Sequence, residues 1–593
     1  MNRMSVVITA LALLLPGLAV AATKVSAWNS SAGPNAGSSN PHFRLSLPVA
    51  SSVQIDLRST AADTYLYLLN AAGAVPIAGD DNSGGGTNSR LVVSLPAGNY
   101  MIVAGTASAN QAGDFTLSVN QGTLNYCFIA FTDSKYRGSL QTFCDGSALP
   151  DNTLLASSVP NNDAYSSLRV PKGMRVRAYE HANGGGRGRT YFSDVPYVGD
   201  GFNDIISSFT WGDFQTDNFF MAVASDSQFS WSNCDDDTNS ERCAYERRLF
   251  GAWSNDDISR YYNRNMVNAI NKVKDYLGEK QFGGTIVNGD LTEFGNQSGH
   301  LDDYINIYEH GLQSNMYLGL GNHDYENNVD DCWQNTCASD MVTYLSAQVK
   351  TLNPNSFDYY EGDTYWDWGQ ASNRRDHWGS LGYSWDIGKI HFVQQNNYLS
   401  YNRSWDGWNF ANALRDYFQI GTSFAWSIGD LQLAKNRGQE IVLNTHEFNA
   451  DAAFTYLLDT YPVAAVYAGH EHAKFGLQYA WTLANNPDYA NHSLWSKNPA
   501  SNVLKEREYL YDNNTIAVPV NLSGASHWGT FLVTRYVNGK VYTWLMQVDH
   551  FDNAKLYVID RNYIHHDASN LAGIFDVCAA PCAAYYQPLP STR

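Results

Sequence analysis

The chain has 593 residues, enough for several domains rather than one core. It is 44% hydrophobic, 13% aromatic and only 16% charged, which excludes a disordered tail protein. Its formal net charge of -20 disfavours nucleic acid as the main partner, since a phosphate backbone is met by clustered Lys and Arg, but leaves open a small phosphate ester drawn in by metal.

Residues 1–21 read as an export signal: Asn2-Arg3 supply a charged start, Val6 to Leu18 an apolar core, and Ala19-Val20-Ala21 a small-residue cleavage site. The apolar run is short for a membrane span and no later stretch is long enough, so a secreted or periplasmic product beginning near Ala22, with no transmembrane segment, is expected. The eight cysteines fall into close pairs, Cys127 with Cys144, Cys234 with Cys243, Cys332 with Cys337 and Cys578 with Cys582. Local disulfides in an oxidising compartment are the economical reading. A zinc knuckle fits worse, because no pair has Cys-x-x-Cys spacing.

In residues 22–121, apolar and polar residues alternate from about 41 onward, as in Phe43-Arg44-Leu45-Ser46-Leu47 and Val53-Gln54-Ile55-Asp56-Leu57, the pattern of a small antiparallel β domain. Asp63-Thr64-Tyr65-Leu66, the turn Gly79-Asp80-Asp81-Asn82 and Leu95-Pro96-Ala97-Gly98-Asn99-Tyr100 resemble the pre-peptidase C-terminal type of β-sandwich, an accessory module of secreted bacterial enzymes. The resemblance implies a module that contacts a surface or matrix, or assists secretion; a passive spacer is the alternative. A second β unit, residues 122–213, holds an internal repeat: Asn162-Asp163-Ala164-Tyr165-Ser166-Ser167 recurs as Asn203-Asp204-Ile205-Ile206-Ser207-Ser208. This unit resembles a βγ-crystallin domain, which implies structural calcium held around Asn162, Asp163, Ser166, Asn203, Asp204 and Ser207. Carboxylates, hydroxyls and carbonyls are the hard oxygen ligands that Ca²⁺ takes.

Over residues 214–560 strands alternate with helices, the signature of an α/β layered domain. Phe219 to Ala224 runs into Asp226-Ser227-Gln228, and Ile258, Tyr262, Met266, Ile270, Val273 and Leu277 follow at helical spacing. Thr285-Ile286-Val287 ends at Gly289-Asp290, and Met316 to Leu320 at Gly321-Asn322-His323-Asp324. Ile390 to Val393 follows; Ile441-Val442-Leu443 ends at His446, and Val463 to Tyr467 at Gly469-His470-Glu471-His472. Ligands gather at the carboxyl ends of strands in layered α/β folds, so one place is expected to collect these side chains. Each has a dull reading alone, a helix cap or a core histidine; five strand ends together point to metal.

The order Asp-x-Gln, Gly-Asp, Gly-Asn-His-Asp, His, Gly-His-x-His resembles the calcineurin-like metallophosphoesterase superfamily. The resemblance implies a four-layer β-sandwich flanked by helices, making the whole a multidomain chain in which two all-β modules precede an α/β catalytic domain. It further implies one divalent transition metal (Mn, Fe or Zn) on Asp226, Gln228 and His472, a second on Asn322, His446 and His470, and Asp290 bridging both. Gln228 stands where histidine is usual, and its neutral amide oxygen is a harder, weaker ligand. Two divalent ions less two carboxylates and one hydroxide leave about +1 to meet a phosphate ester. Direct attack by metal-bound hydroxide is implied, with His323, held by Asp324, protonating the leaving oxygen.

Phosphodiesters are preferred, because His323 and Asp324 are both present and the aromatic insertion around Asp358 to Trp368 could grip a second substituent, or else fold on itself as a flap. The substrate class is a small-molecule or lipid-headgroup phosphate ester. The alternatives are a phosphomonoesterase with the same site, and a calcium-dependent surface-binding protein whose catalytic domain is degenerate. The acidic loop Cys234-Asp235-Asp236-Asp237 reads as a solvated, disulfide-closed excursion, His527 is left out of the site, and residues 561–593 read as a tail.

Overall fold

The computed structural model describes residues 21–144, 146–149, 153–199, 201–409, 414–449, 451–482, 517–537, 540–559 and 565–575. Residues 1–20 of the export signal read at residues 1–21, and the pair Cys578 and Cys582, lie outside them. The chain forms two compact units: one from residues up to Ile129 with 142–144 and 169–173, the other from the remainder. The whole is multidomain and mostly β, and among the described residues the helices belong to the second unit.

In the first unit the period-two pattern becomes two antiparallel sheets. One orders Ala22–Trp28, Gly113–Val119, Ser51–Arg58 and Ser89–Leu95; in the other, Thr123–Asp133, His42–Leu47, Gly98–Thr106, Thr64–Asn70 and Pro76–Asp80 lie side by side. Their inner residues meet, with Phe43 and Phe115 rings 6.2 Å apart edge to face. Gly79 and Asp80, read as a turn, belong to a strand instead. Cys127 and Cys144 are joined.

The second unit begins with a five-stranded sheet, Ser147–Ala148, Leu154–Ala156, Ser208–Asp213, Met174–His181 and Gly185–Tyr191 in spatial order. The repeated segments take matching conformations there: Asp163 and Asp204 both have left-handed backbones, φ 56° and 57°. Ser167 and Ser208 both donate to carbonyls, of Asp133 and His181.

Beyond it stand two larger sheets. The first runs Met316–Gly319, Phe282–Asn288, Asn218–Ala224, Thr530–Val537, Lys540–Asp549, Lys555–Ile559, His565–Asp567, the opening three strands parallel. The second carries the parallel run Ile390–Gln394, Glu440–Asn444, Val463–Ala468, Ala517–Leu522. Their facing aromatics form the core: Tyr317 stacks on Trp385 at 4.2 Å, and Phe392 lies 5.2 Å from Tyr536 and 6.2 Å from Phe219. Each such buried ring contributes about 1.5–3 kcal/mol of transfer free energy.

Three helices follow the Asn218–Ala224 strand: α1 (Asn233–Asp236), α2 (Glu241–Phe250) and α3 (Asn255–Leu277). The Ser254 side chain caps α3 by accepting from Asp257 N, and Gly278 with φ 74° ends it. Its apolar stripe, Ile258, Tyr262, Met266, Ile270, Val273 and Leu277, is buried as the spacing predicts.

The insertion between Asp324 and Ile390 forms a helix, Thr336–Thr351, and the strands Ser356–Glu361 and Tyr365–Asp367, which pair on the 16-residue strand Ser372–Ile387. One reading needs correction: residues 565–575 are not a tail. His565–Asp567 extends the first sheet, and Phe575 is buried against Phe220 and Trp544.

Candidate metal centre

The strands Asn218–Ala224, Phe282–Asn288 and Met316–Gly319 are parallel, so their carboxyl ends share one edge. Glu440–Asn444 and Val463–Ala468 are likewise parallel. The motif residues follow each end in tight turns that only certain residues tolerate. Asp226, Gln228, Asp290 and His470 have φ of 51°, 30°, 50° and 68°, a left-handed region costly for side chains other than Asn and Asp. Gly321 touches Asp290 so closely that a Cβ there would collide with its Oδ1, and one on Gly469 would lie 2.5 Å from Asp226 Oδ2.

Two groups of donor atoms result. Asp226, Asp290 and His472 form one and Asp290, His446 and His470 the other, with ligand atoms within 4.8 Å of one another in each. Asp290 belongs to both. Asn322 joins the second group, its Oδ1 lying 3.0 Å from His446 Nε2 and 3.1 Å from His470 Nδ1. Gln228 is fully buried beside Asp226; its Nε2 donates to Glu293 Oε2 at 3.1 Å and its Oε1 makes no hydrogen bond.

The second group fits a cation. His446 Nδ1 donates to the Asn288 carbonyl at 2.8 Å, which leaves Nε2 with its lone pair. That atom faces Asn322 Oδ1, and also Asp290 Oδ2 at 3.1 Å, an oxygen without a hydrogen bond. In the neutral ring these are three converging lone-pair atoms, which repel one another unless positive charge lies between them. A proton on Nε2 supplies that charge when no ion does: burial depresses His446, yet Asp290 and Asp226 outweigh it and raise the imidazole to about 10. Burial drives Asp226 up, whereas His446 and His323 hold Asp290 low against its own burial.

His323 stands beside these groups, 22% exposed at its side chain, its backbone N–H donating to Asp290 Oδ1 at 2.9 Å. Asp324 does not hold its imidazole. That carboxylate is fully buried and accepts from the N–H groups of Leu291, Thr292 and Gly321 at 2.9–3.0 Å, so it ties two motif loops together. Burial and the charge of Asp290 raise its carboxyl to about 7. The carboxylate at His323 is Glu293, whose Oε2 lies 3.0 Å from Nδ1. Burial lowers His323, but Glu293 and Asp290 outweigh it and raise the imidazole to about 9.

Two residues set aside in the sequence also arrive here. Asp236 accepts from His472 Nδ1 and from His527 Nε2, both at 2.7 Å. Burial opposes its ionisation, but those two imidazoles hold the carboxyl far below the carboxylate range; burial takes His527 down to about 4. Nothing in the spacing of Glu293, Asp236 or His527 along the chain marks them for this place.

The residues expected to hold calcium precede this centre in the chain. Asn162 and Asn203 donate to the neighbouring Asp163 and Asp204 carboxylates at 2.6 and 2.8 Å, and Ser207 Oγ donates to Asp163 Oδ1 at 3.0 Å, joining the repeats. Ser166 Oγ donates to the Thr132 carbonyl at 2.8 Å.

No known family's sequence profile matches the chain, and no curated protein does. Among solved structures it is similar to a βγ-crystallin domain from Clostridium beijerinckii, 28% identical, covering 14% of this chain and 97% of that one with a TM-score of 0.13. A βγ-crystallin domain from Flavobacterium johnsoniae is 23% identical over 14% of this chain and 93% of its own, with a TM-score of 0.12. The likeness is thus to βγ-crystallin domains, over a small part of the chain.

Proposed function

We propose that the chain is a dinuclear metal-dependent phosphoesterase, acting on phosphodiesters of small molecules or lipid headgroups in preference to monoesters. The observation that carries this reading is the pair of donor groups sharing Asp290 beside an imidazole paired with a carboxylate. Two divalent ions, Mn, Fe or Zn, when bound, supply a nucleophilic water at neutral pH and positive charge toward the phosphate oxygens. Asp226, Gln228 and His472 would hold one, Asn322, His446 and His470 the other, and Asp290 both. Glu293 occupies Nδ1 of His323, so Nε2 is the atom left to give its proton to the leaving oxygen.

Three disulfides fit a protein that matures outside the cytoplasm, and among the described residues no helix is long and apolar enough to cross a membrane. In this reading the crystallin-like part takes calcium as a structural ion. The test is kcat/KM for bis-p-nitrophenyl phosphate against p-nitrophenyl phosphate, on protein stripped and reloaded with Mn²⁺ or Zn²⁺. Diester preference is expected. Monoester preference would make the protein a phosphatase, and silence without bound metal would leave a calcium-dependent binding protein.

A further inference from the structure

Asp236 lies outside the expected ligand set, yet four ring N–H groups converge on its carboxylate. Oδ1 accepts from His472 Nδ1 at 2.7 Å and Trp231 Nε1 at 2.9 Å, and Oδ2 from His527 Nε2 at 2.7 Å and Trp528 Nε1 at 3.0 Å. A carboxylate offers about four lone-pair sites, so all are taken. Although Asp236, His472 and His527 are close enough to hold an ion, each carboxylate oxygen also faces an indole N–H, which is a donor only. The cluster is therefore built as an acceptor for rings rather than as a third ion site.

The segment that carries Asp236 is held from several sides. Ser232 and Asp235 form a reciprocal cap on α1, and Cys234 is bonded to Cys243 of α2. Arg242 donates through Nε to Asn233 Oδ1 at 2.7 Å and through Nη2 to the His527 carbonyl at 3.1 Å, with its guanidinium 4.1 Å over the Trp528 ring. The loop and the Ser526–Trp528 turn thus share one anchor. Because a carboxylate only accepts, the proton of His472 is on Nδ1, and the lone pair is on Nε2, 3.6 Å from Asp226 Oδ1.

Resting on the reading of His472 as a ligand, we propose that Asp236 is a positioning residue: it fixes the Nδ1–H tautomer of His472 and aims Nε2 at the ion held with Asp226, Gln228 and Asp290. The Cys234–Cys243 loop exists, on this account, to deliver that carboxylate.

The test compares full-length wild type, Asp236→Ala and Asp236→Asn, each stripped and titrated with Mn²⁺ by calorimetry. We expect Asp236→Ala to weaken one of the two Mn²⁺ equivalents about 10–100-fold and leave the other unchanged, which also shows that the variant is folded. Asp236→Asn, which keeps an oxygen to accept from His472, should recover part of that loss. Unchanged affinity at both sites would overturn the proposal, as would equal weakening of both with no recovery in Asp236→Asn. Wild type that takes up no Mn²⁺ would instead overturn the phosphoesterase reading, and this proposal with it.

Discussion

Asp324 and Glu293 divide between them the tasks that chain order assigns to Asp324 alone. Asp324 points inward to three backbone N–H groups, while Glu293 reaches the imidazole of His323. The two carboxylates should therefore fail differently. Glu293→Gln is expected to keep both metals and lower kcat about 10–100-fold on a poor leaving group, with a smaller loss on p-nitrophenolate. Asp324→Ala, by stranding buried N–H groups, should cost about 2–4 kcal/mol of stability in chemical denaturation and take metal with it. The donor residues were legible in the sequence because each follows an apolar run and three of them adjoin a glycine, at Gly289-Asp290, Gly321-Asn322 and Gly469-His470. The partner of His323 was not, because adjacency in sequence says nothing about which way a turn aims its side chains.

Among the elements, the parallel strands were legible as short apolar runs and α3 as a stripe of helical period. The strands Ser356–Glu361 and Tyr365–Asp367 were not, since their solvent-facing residues are aromatic: Tyr360 is 59% exposed and Trp366 47%. Aromatic residues on an exposed face imitate a binding loop. At the start of the Glu440–Asn444 strand, burial raises the Glu440 carboxyl from 4.5 to about 7. Its folded-state value is raised, so the stability it contributes is full below 4.5 and is lost as pH rises through about 7. Glu440→Gln removes the ionisation, and its thermal midpoint should fall less than that of wild type between about pH 5 and pH 8. Calorimetry at the two pH values checks this; parallel curves would show that Glu440 titrates as an ordinary surface carboxylate.

Within the second unit, the five-stranded sheet that carries the repeat meets the first large sheet through Asn315, which precedes the strand leading to His323. Its buried amide accepts from Thr190 N at 2.8 Å and donates to Thr190 O at 2.7 Å. Asn315→Ala leaves both backbone groups without that partner and should destabilise the protein by about 1–3 kcal/mol. Replacing Asp163 and Asp204 together should reduce calcium uptake and the thermal midpoint while leaving turnover of metal-loaded protein nearly intact. Equal loss of turnover would mean that calcium in this sheet shapes the catalytic centre. The repeat that marks this part was legible from its doubled Asn-Asp and Ser-Ser pairs, whereas its docking on Asn315 depends on a contact across 125 residues of chain.

The measurement that bears most directly on the whole is a titration of stripped protein with Mn²⁺, following metal content and bis-p-nitrophenyl phosphate hydrolysis together, for wild type and Asp290→Ala. Two equivalents binding to wild type with activity rising to a plateau at the second, and loss of both metal and activity in Asp290→Ala, is the result predicted. Hydrolysis that survives in Asp290→Ala, or wild type that binds no Mn²⁺ and stays silent, would contradict the dinuclear centre.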